Sequence, residues 1–234
     1  MSGGSPHRSG SASLPLVPLD DPDRQAVGAA TFVLGLRARG IRDTEVLRAM
    51  ELVPREVFAP RRFADLARSD VALPLPCGQT MTAPGTVAAM LVALGVEPGQ
   101  RILEIGTGSG YVTALLVRLG AEVVTVERYG SLAESAHGHL KAAGVNASVR
   151  MEVADGLAQR PRERFDRILL NGARPAVPTT LAPLLGPGGR LVGALTIDNA
   201  PRLVRVDRVE GETREEVGSL LRISPLVTGA AISL

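Results

Sequence analysis

From residue 101 the chain alternates short apolar runs with amphipathic stretches. Residues 101–105, 122–126, 148–153, 167–170 and 190–195 read as strands, and residues 111–119 and 131–143 as helices. Strand and helix in alternation predict a parallel sheet with helices on both faces. The end of the chain differs. Residues 203–208 and 217–223, separated by a polar turn around Gly211, predict an antiparallel addition. Before the sheet, Val27, Phe32, Leu34 and Leu36 suggest a helix over 23–39, and a second over 43–50 opens on Asp43 or Thr44 as its cap. Residues 1 to about 20 are rich in Gly, Ser and Pro, with too little apolar surface to offset the entropy of ordering, and are expected to form a disordered tail.

Composition narrows the classes. Of 234 residues, 45% are hydrophobic and 21% charged, a globular balance. Lys+Arg 26 against Asp+Glu 24 gives +2, too even to demand a polyanionic partner. Arg160, Arg162 and Arg164 lack interleaved aromatics and make a poor nucleic-acid platform. A single cysteine, Cys77, excludes an intramolecular disulfide framework, and His137 and His139 point different ways along a helix, so no metal is expected. No apolar run reaches the roughly 18 residues of a membrane span. A soluble cytoplasmic protein is the expectation.

The first strand closes on Glu104-Ile105-Gly106-Thr107-Gly108-Ser109-Gly110-Tyr111. Glycines at 106, 108 and 110 allow a tight turn and a ligand lying against bare backbone. A dinucleotide loop would want glycine where Tyr111 stands, and the lysine-serine pair of a phosphate loop is absent. Glu127 ends the second strand, 21 residues beyond Gly106, where a carboxylate can accept both hydroxyls of a ribose. Asp155-Gly156 follows the third strand at a place suited to an adenine edge, and Glu104 beside the loop can favour a cationic ligand by attraction. Three such features at successive strand ends point to an adenosyl ligand, although glycine turns and strand-end acids are also common in α/β proteins at large.

Upstream runs Leu73-Pro74-Leu75-Pro76-Cys77-Gly78-Gln79-Thr80-Met81-Thr82-Ala83-Pro84. With this segment the chain resembles the protein-L-isoaspartate O-methyltransferase family, from about Arg39 to Leu226. The resemblance includes Val53-Pro54-Arg55 with Phe58, the Leu103 to Tyr111 loop, Glu127-Arg128, Asp155-Gly156, Phe165-Asp166-Arg167-Ile168, Pro187-Gly188-Gly189-Arg190-Leu191 and Ser224-Pro225-Leu226. It implies a Rossmann-like, seven-stranded S-adenosylmethionine-dependent methyltransferase fold with an N-terminal helical extension. The implied division is a tail over 1–20, the extension and active-site segment over 21–85, and the core over 86–234. The implied reaction moves a methyl group from S-adenosylmethionine to an isoaspartyl carboxylate in damaged proteins or peptides. The ester then loses methanol to a succinimide, whose hydrolysis returns some normal aspartate. Thr82 stands at the family's serine/threonine catalytic position. Gln79, Thr80, Glu104, Gly106, Thr107, Gly108, Gly110, Glu127, Asp155 and Gly156 are the implied cofactor residues, and Asp70 and Asn171 the implied substrate residues.

Such chemistry needs no strong base, because a carboxylate is already ionised near neutral pH. The enzyme has to align oxygen, methyl carbon and sulfur and exclude water. The chain departs from the family pattern at Arg68, where an aromatic is usual, at Leu75-Pro76, at Asn171-Gly172-Ala173-Arg174-Pro175 in place of an alanine-rich loop, and at Thr196-Ile197-Asp198-Asn199-Ala200. Two alternatives follow: a relative that esterifies a particular aspartate in a dedicated peptide or a small acid, and a protein that binds the cofactor without catalysis. At single residues, Thr82 could instead cap a helix before Pro84, Tyr111 could stack on the cofactor or pack the loop, and Cys77 could be a reactive thiol or a packing residue.

Overall fold

The computed structural model describes residues 22–158, 163–229 and 231. The expected tail, together with His7, Arg160 and Arg162, lies outside them. Two helices open the described chain, α1 (Pro22–Ala38) and α2 (Thr44–Leu52). Asp43 caps α2, its Oδ1 accepting from the Val46 N–H at 2.9 Å. The apolar spacing of α2 buries Val46, Leu47, Ala49 and Met50 on one side. A two-stranded antiparallel ladder follows, β1 (Leu73–Pro74) with β2 (Thr80–Met81), and then α3 (Pro84–Leu94). Proline suits the first turn of α3, and Gly95 ends it in the left-handed conformation at φ 60°.

The core elements are β3 (Arg101–Ile105), α4 (Tyr111–Arg118), β4 (Glu122–Glu127), α5 (Gly130–Ala142), β5 (Val149–Val153), β6 (Phe165–Arg174), β7 (Leu185–Ile197), β8 (Ala200–Val209) and β9 (Glu212–Leu220). They form one seven-stranded sheet in the order β5-β4-β3-β6-β7-β8-β9. Strands β3 to β7 pair in parallel, and β8 and β9 add on antiparallel. Side chains alternate between two cores with period two. Ile102, Val123, Leu169, Val192 and Ala194 join the apolar cluster that also contains residues of all five helices. Leu103, Ile105, Val124, Val126, Ile168, Leu170 and Leu191 face a second cluster. That second side is covered by Leu157 and by Leu181 and Leu184, the last two at the end of a stretch where Pro175, Pro178 and Pro183 interrupt helical periodicity.

The last strand differs from expectation. It spans Glu212–Leu220, not 217–223, and every residue in it is exposed. Glu210 (φ 51°) and Gly211 (φ 89°) form a two-residue hairpin turn that pairs Val209 with Glu212, so register is set by the turn and not by an apolar face. Asp198 (φ 50°) and Asn199 (φ 60°) make the equivalent turn between β7 and β8. The divergent 196–200 segment is thus a hairpin corner, and it does not line the cleft described next.

Candidate active site

Strand order reverses between β3 and β6: the chain moves outward from β3 to β4 and β5, then crosses back to pair with β3 from the other side. Open α/β sheets place ligands at such a point, outside the strand carboxyl ends. A cleft lies there, lined by the ends of β3, β4 and β6, by Gln79, Thr80 and Thr82, and by residues 154–157 and 223–227.

Its floor is the glycine loop. Gly106 (φ 94°) and Gly108 (φ 56°) both have the positive φ that favours glycine. The Gly106 N–H donates to the Val126 carbonyl at 2.9 Å, which ties the loop to the end of β4. There Glu127 accepts from the Gly108 N–H at 2.9 Å and from the Tyr129 N–H at 3.0 Å, one on each carboxylate oxygen. Each oxygen keeps a further lone pair for a ligand hydroxyl. Asp155 accepts from the Leu157 N–H at 2.9 Å and the Gly229 N–H at 2.8 Å. Ile105, Val126, Leu157, Ile223 and Leu226 supply apolar walls.

Across the mouth stand Gln79, Thr80, Thr82 and Asn171. Asn171 directly follows the β6 residues paired with β3, and its Nδ2 donates to the Gly106 carbonyl at 3.0 Å. Its Oδ1 lies 3.5 Å from the Thr82 hydroxyl, at the limit of a hydrogen bond. Thr82 does not cap α3: that position belongs to Ala83, without a side-chain bond. The hydroxyl is left facing the cleft.

Four implied site residues sit elsewhere. Glu104 is fully buried, its Oε2 accepting from Thr113 at 2.5 Å and Thr125 at 2.8 Å while Oε1 has no partner. Burial raises its pKa to about 7 against the lowering effect of both hydroxyls, and the Glu127 charge adds to the rise. Thr107 turns inward to Thr125 at 2.6 Å. Gly110 heads α4, where a Cβ would stand 3.3 Å from the Ala136 methyl. Asp70 accepts from the Gly85 N–H at 2.6 Å and pairs with Arg39 at 2.8 Å, so its carboxylate serves the start of α3, not the cleft. Tyr111 also packs inward, 5.7 Å from the Phe58 ring. Cys77 is half-buried with φ 58°, its sulfur 3.6 Å from the Ser131 hydroxyl.

The reading of single residues missed the strap over the cleft. Residues 223–227 line it, joined to β6 by Ala173 N–H to Ser224 carbonyl and Leu226 N–H to Ala173 carbonyl, both 2.8 Å. Ser224 also bonds Thr80, hydroxyl to hydroxyl, at 2.7 Å. Arg174 and Arg128 donate to the carbonyls of Leu226 and Thr228. The available signal was Ser224-Pro225-Leu226 itself, a family match with no role attached to it.

The residues present fit an adenosyl ligand. The glycine loop leaves backbone uncovered, Glu127 has lone pairs to spare, and apolar walls suit a purine face. Among the described residues no three His, Cys, Asp or Glu side chains gather as a metal site, and no helix is long and apolar enough to cross a membrane.

Comparison with known proteins agrees. The model of the protein-L-isoaspartate(D-aspartate) O-methyltransferase family matches residues 29–230. A protein-L-isoaspartate O-methyltransferase of Xanthobacter autotrophicus is 47% identical over 206 residues, covering 87% of this chain and 93% of its own. One from Azorhizobium caulinodans is 41% identical over 221 residues, 92% of this chain and 100% of its own. The crystal structure of a Plasmodium falciparum homologue of that description, in complex with S-adenosyl-L-homocysteine, has the same fold at a TM-score of 0.75 and 19% identity, covering 85% of this chain and 98% of its own. A family match over residues 29–230, with relatives 47% and 41% identical across most of both chains, places this chain in the protein-L-isoaspartate O-methyltransferase family.

Proposed function

We propose that the chain methylates the free carboxylate of L-isoaspartyl residues in damaged proteins or peptides, opening their repair through a succinimide. S-adenosylmethionine, when bound, supplies a methyl group on a positively charged sulfur. Glu127 holds the ribose hydroxyls, and the backbone of Gly106 and Gly108 lies along the ligand. The Thr82 hydroxyl donates to one oxygen of the acceptor carboxylate and leaves the other free to attack. Its contact with Asn171, at 3.5 Å, is weak enough to be exchanged for that carboxylate. Asn171, anchored on the Gly106 carbonyl, keeps acceptor and glycine loop in register. Ser224 to Val227 cover the cleft and exclude water. No side chain has to remove a proton, since the acceptor is ionised. The reaction belongs in the cytoplasm, in keeping with a chain that has one cysteine and no disulfide pair.

The observation that carries this reading is the Thr82 hydroxyl facing Asn171 over the glycine loop whose Gly108 is bonded to Glu127. Methyl transfer to matched isoaspartyl and aspartyl peptides tests it. Transfer to the isoaspartyl member alone supports repair. Equal transfer to both, or to neither, overturns it in favour of a dedicated acceptor or a non-catalytic protein.

A further inference from the structure

Among the described residues Arg55 is the largest fully buried side chain, with 1% of its surface exposed. It opens a short 3-10 turn after Pro54, and its guanidinium reaches three loop carbonyls: Ala67 at 2.7 Å, Val71 at 3.2 Å and Thr82 at 3.0 Å. Between the first two of these lies Asp70. Its carboxylate takes the Gly85 N–H at 2.6 Å, an approach open because Gly85 has no Cβ, which would stand 3.0 Å from both carboxylate oxygens. Thr82 is therefore held from both sides, at its own carbonyl by Arg55 and three residues on by Asp70. The segment before it is fixed as well, Met81 pairing with Leu73.

A buried guanidinium is a costly way to hold a loop, and an apolar side chain of similar volume would often serve stability as well. Here its donors join the loop carbonyls of Ala67 and Val71, either side of Asp70, to the carbonyl of Thr82, the residue that carries the acceptor-facing hydroxyl. Methyl transfer depends on alignment, so a displacement of about 1 Å at that hydroxyl costs on the order of a hundredfold in rate. We propose that Arg55 and Asp70 are positioning residues: together they clamp residues 67–71 to 82–85 and set where the Thr82 hydroxyl points. This rests on the reading of Thr82 as the residue that orients the acceptor carboxylate. Asp70, whose place in the family pattern suggests substrate contact, then acts at one remove, through the start of α3.

The test measures kcat and KM on an isoaspartyl peptide, together with calorimetric S-adenosylmethionine affinity, for Thr82→Val, Asp70→Ala, Asp70→Asn, Arg55→Lys and the double variant Asp70→Ala/Thr82→Val. Asp70→Ala should lower kcat about tenfold or more, with peptide KM and cofactor affinity within about threefold of wild type. Asp70→Asn, which keeps an acceptor oxygen for the Gly85 N–H, should recover most of that loss. Arg55→Lys keeps the charge and most of the volume but not the fork, and should lose kcat as Asp70→Ala does. In the double variant the Asp70 effect should shrink to less than about threefold, because the hydroxyl it positions is gone. Circular dichroism establishes which variants are folded, and Arg55→Lys carries the test if Asp70→Ala is not. A slow Thr82→Val beside a folded Asp70→Ala or Arg55→Lys at wild-type kcat overturns the clamp alone, as does an Asp70 effect of equal size with and without the Thr82 hydroxyl. Thr82→Val at wild-type kcat overturns the reading of Thr82 itself.

Discussion

The Gly108 N–H donates to Glu127 at 2.9 Å, so the glycine loop and the acid at the end of β4 are one unit. A carboxylate that accepts backbone bonds is held in one orientation and presents its remaining lone pairs at fixed angles. Glu127→Ala should therefore do more than remove a ligand contact, because it also frees the loop that the ligand lies on. S-adenosylmethionine affinity should fall by roughly 1–3 kcal/mol, measured by calorimetry. Wild-type affinity in a folded variant would remove Glu127 from the cofactor site.

Thr82→Val keeps shape and loses the hydroxyl. Since Ala83 occupies the cap of α3 without a side-chain bond, little stability is at stake. The melting temperature should stay within about 2 °C of wild type, less than roughly 1 kcal/mol for a chain of this size. Single-turnover methyl transfer should slow by about tenfold or more, and Thr82→Ser should retain most of the rate. A parallel fall in stability and rate, as a lost cap would produce, would contradict the assignment.

Glu104 makes stability depend on pH. Its folded pKa is raised to about 7 by burial, above the roughly 4.3 of an unfolded glutamate. The folded state therefore holds the proton more tightly. Stability is fullest below the unfolded value, declines as pH rises through the window between the two, and remains lowered above about 7. The loss amounts to about 4 kcal/mol at most, one unit being 1.36 kcal/mol. Glu104→Gln removes the titration. In urea melts of ligand-free protein, the stability of this variant relative to wild type should improve by up to about 3 kcal/mol between pH 4 and pH 8. A difference that is flat with pH would mean that Glu104 is not an acid of raised pKa.

Gly172 lies where the strap crosses β6. A Cβ there would stand 2.8 Å from Leu226 Cβ and 3.1 Å from the Leu226 backbone nitrogen. Gly172→Ala should push the strap away, costing about 1–3 kcal/mol of stability by overpacking. It should also weaken S-adenosylmethionine binding severalfold, because Leu226 walls the cleft. Thermal melts and calorimetry on the same preparation check both. An unchanged affinity would show that residues 223–227 do not cover the ligand.

The parts of this protein legible in the sequence are those set by neighbours in the chain. The β3 to β6 strands follow from short apolar runs, α2 from Asp43 and its apolar face, and the loop after β3 from three glycines in five residues. Local pattern also places Glu127 and Asp155 at strand ends, and sheet topology then brings strand ends to one edge. Tertiary structure decided which way side chains point once distant segments pack. Glu104 and Thr107 sit beside the glycine loop in sequence yet turn into the core, because strand alternation and the hydroxyls of Thr113 and Thr125 place them beneath the sheet edge, not above it. The strap meets Thr80 through Ser224, 144 residues away, a contact that no periodicity encodes. Asp70 carries an acidic family position, but Gly85 and Arg39 claim its carboxylate only because the fold brings α1, the loop and α3 together. Spacing along a chain determines strand ends and turns; burial and partners depend on contacts between segments far apart in it, and those exist only in the folded molecule.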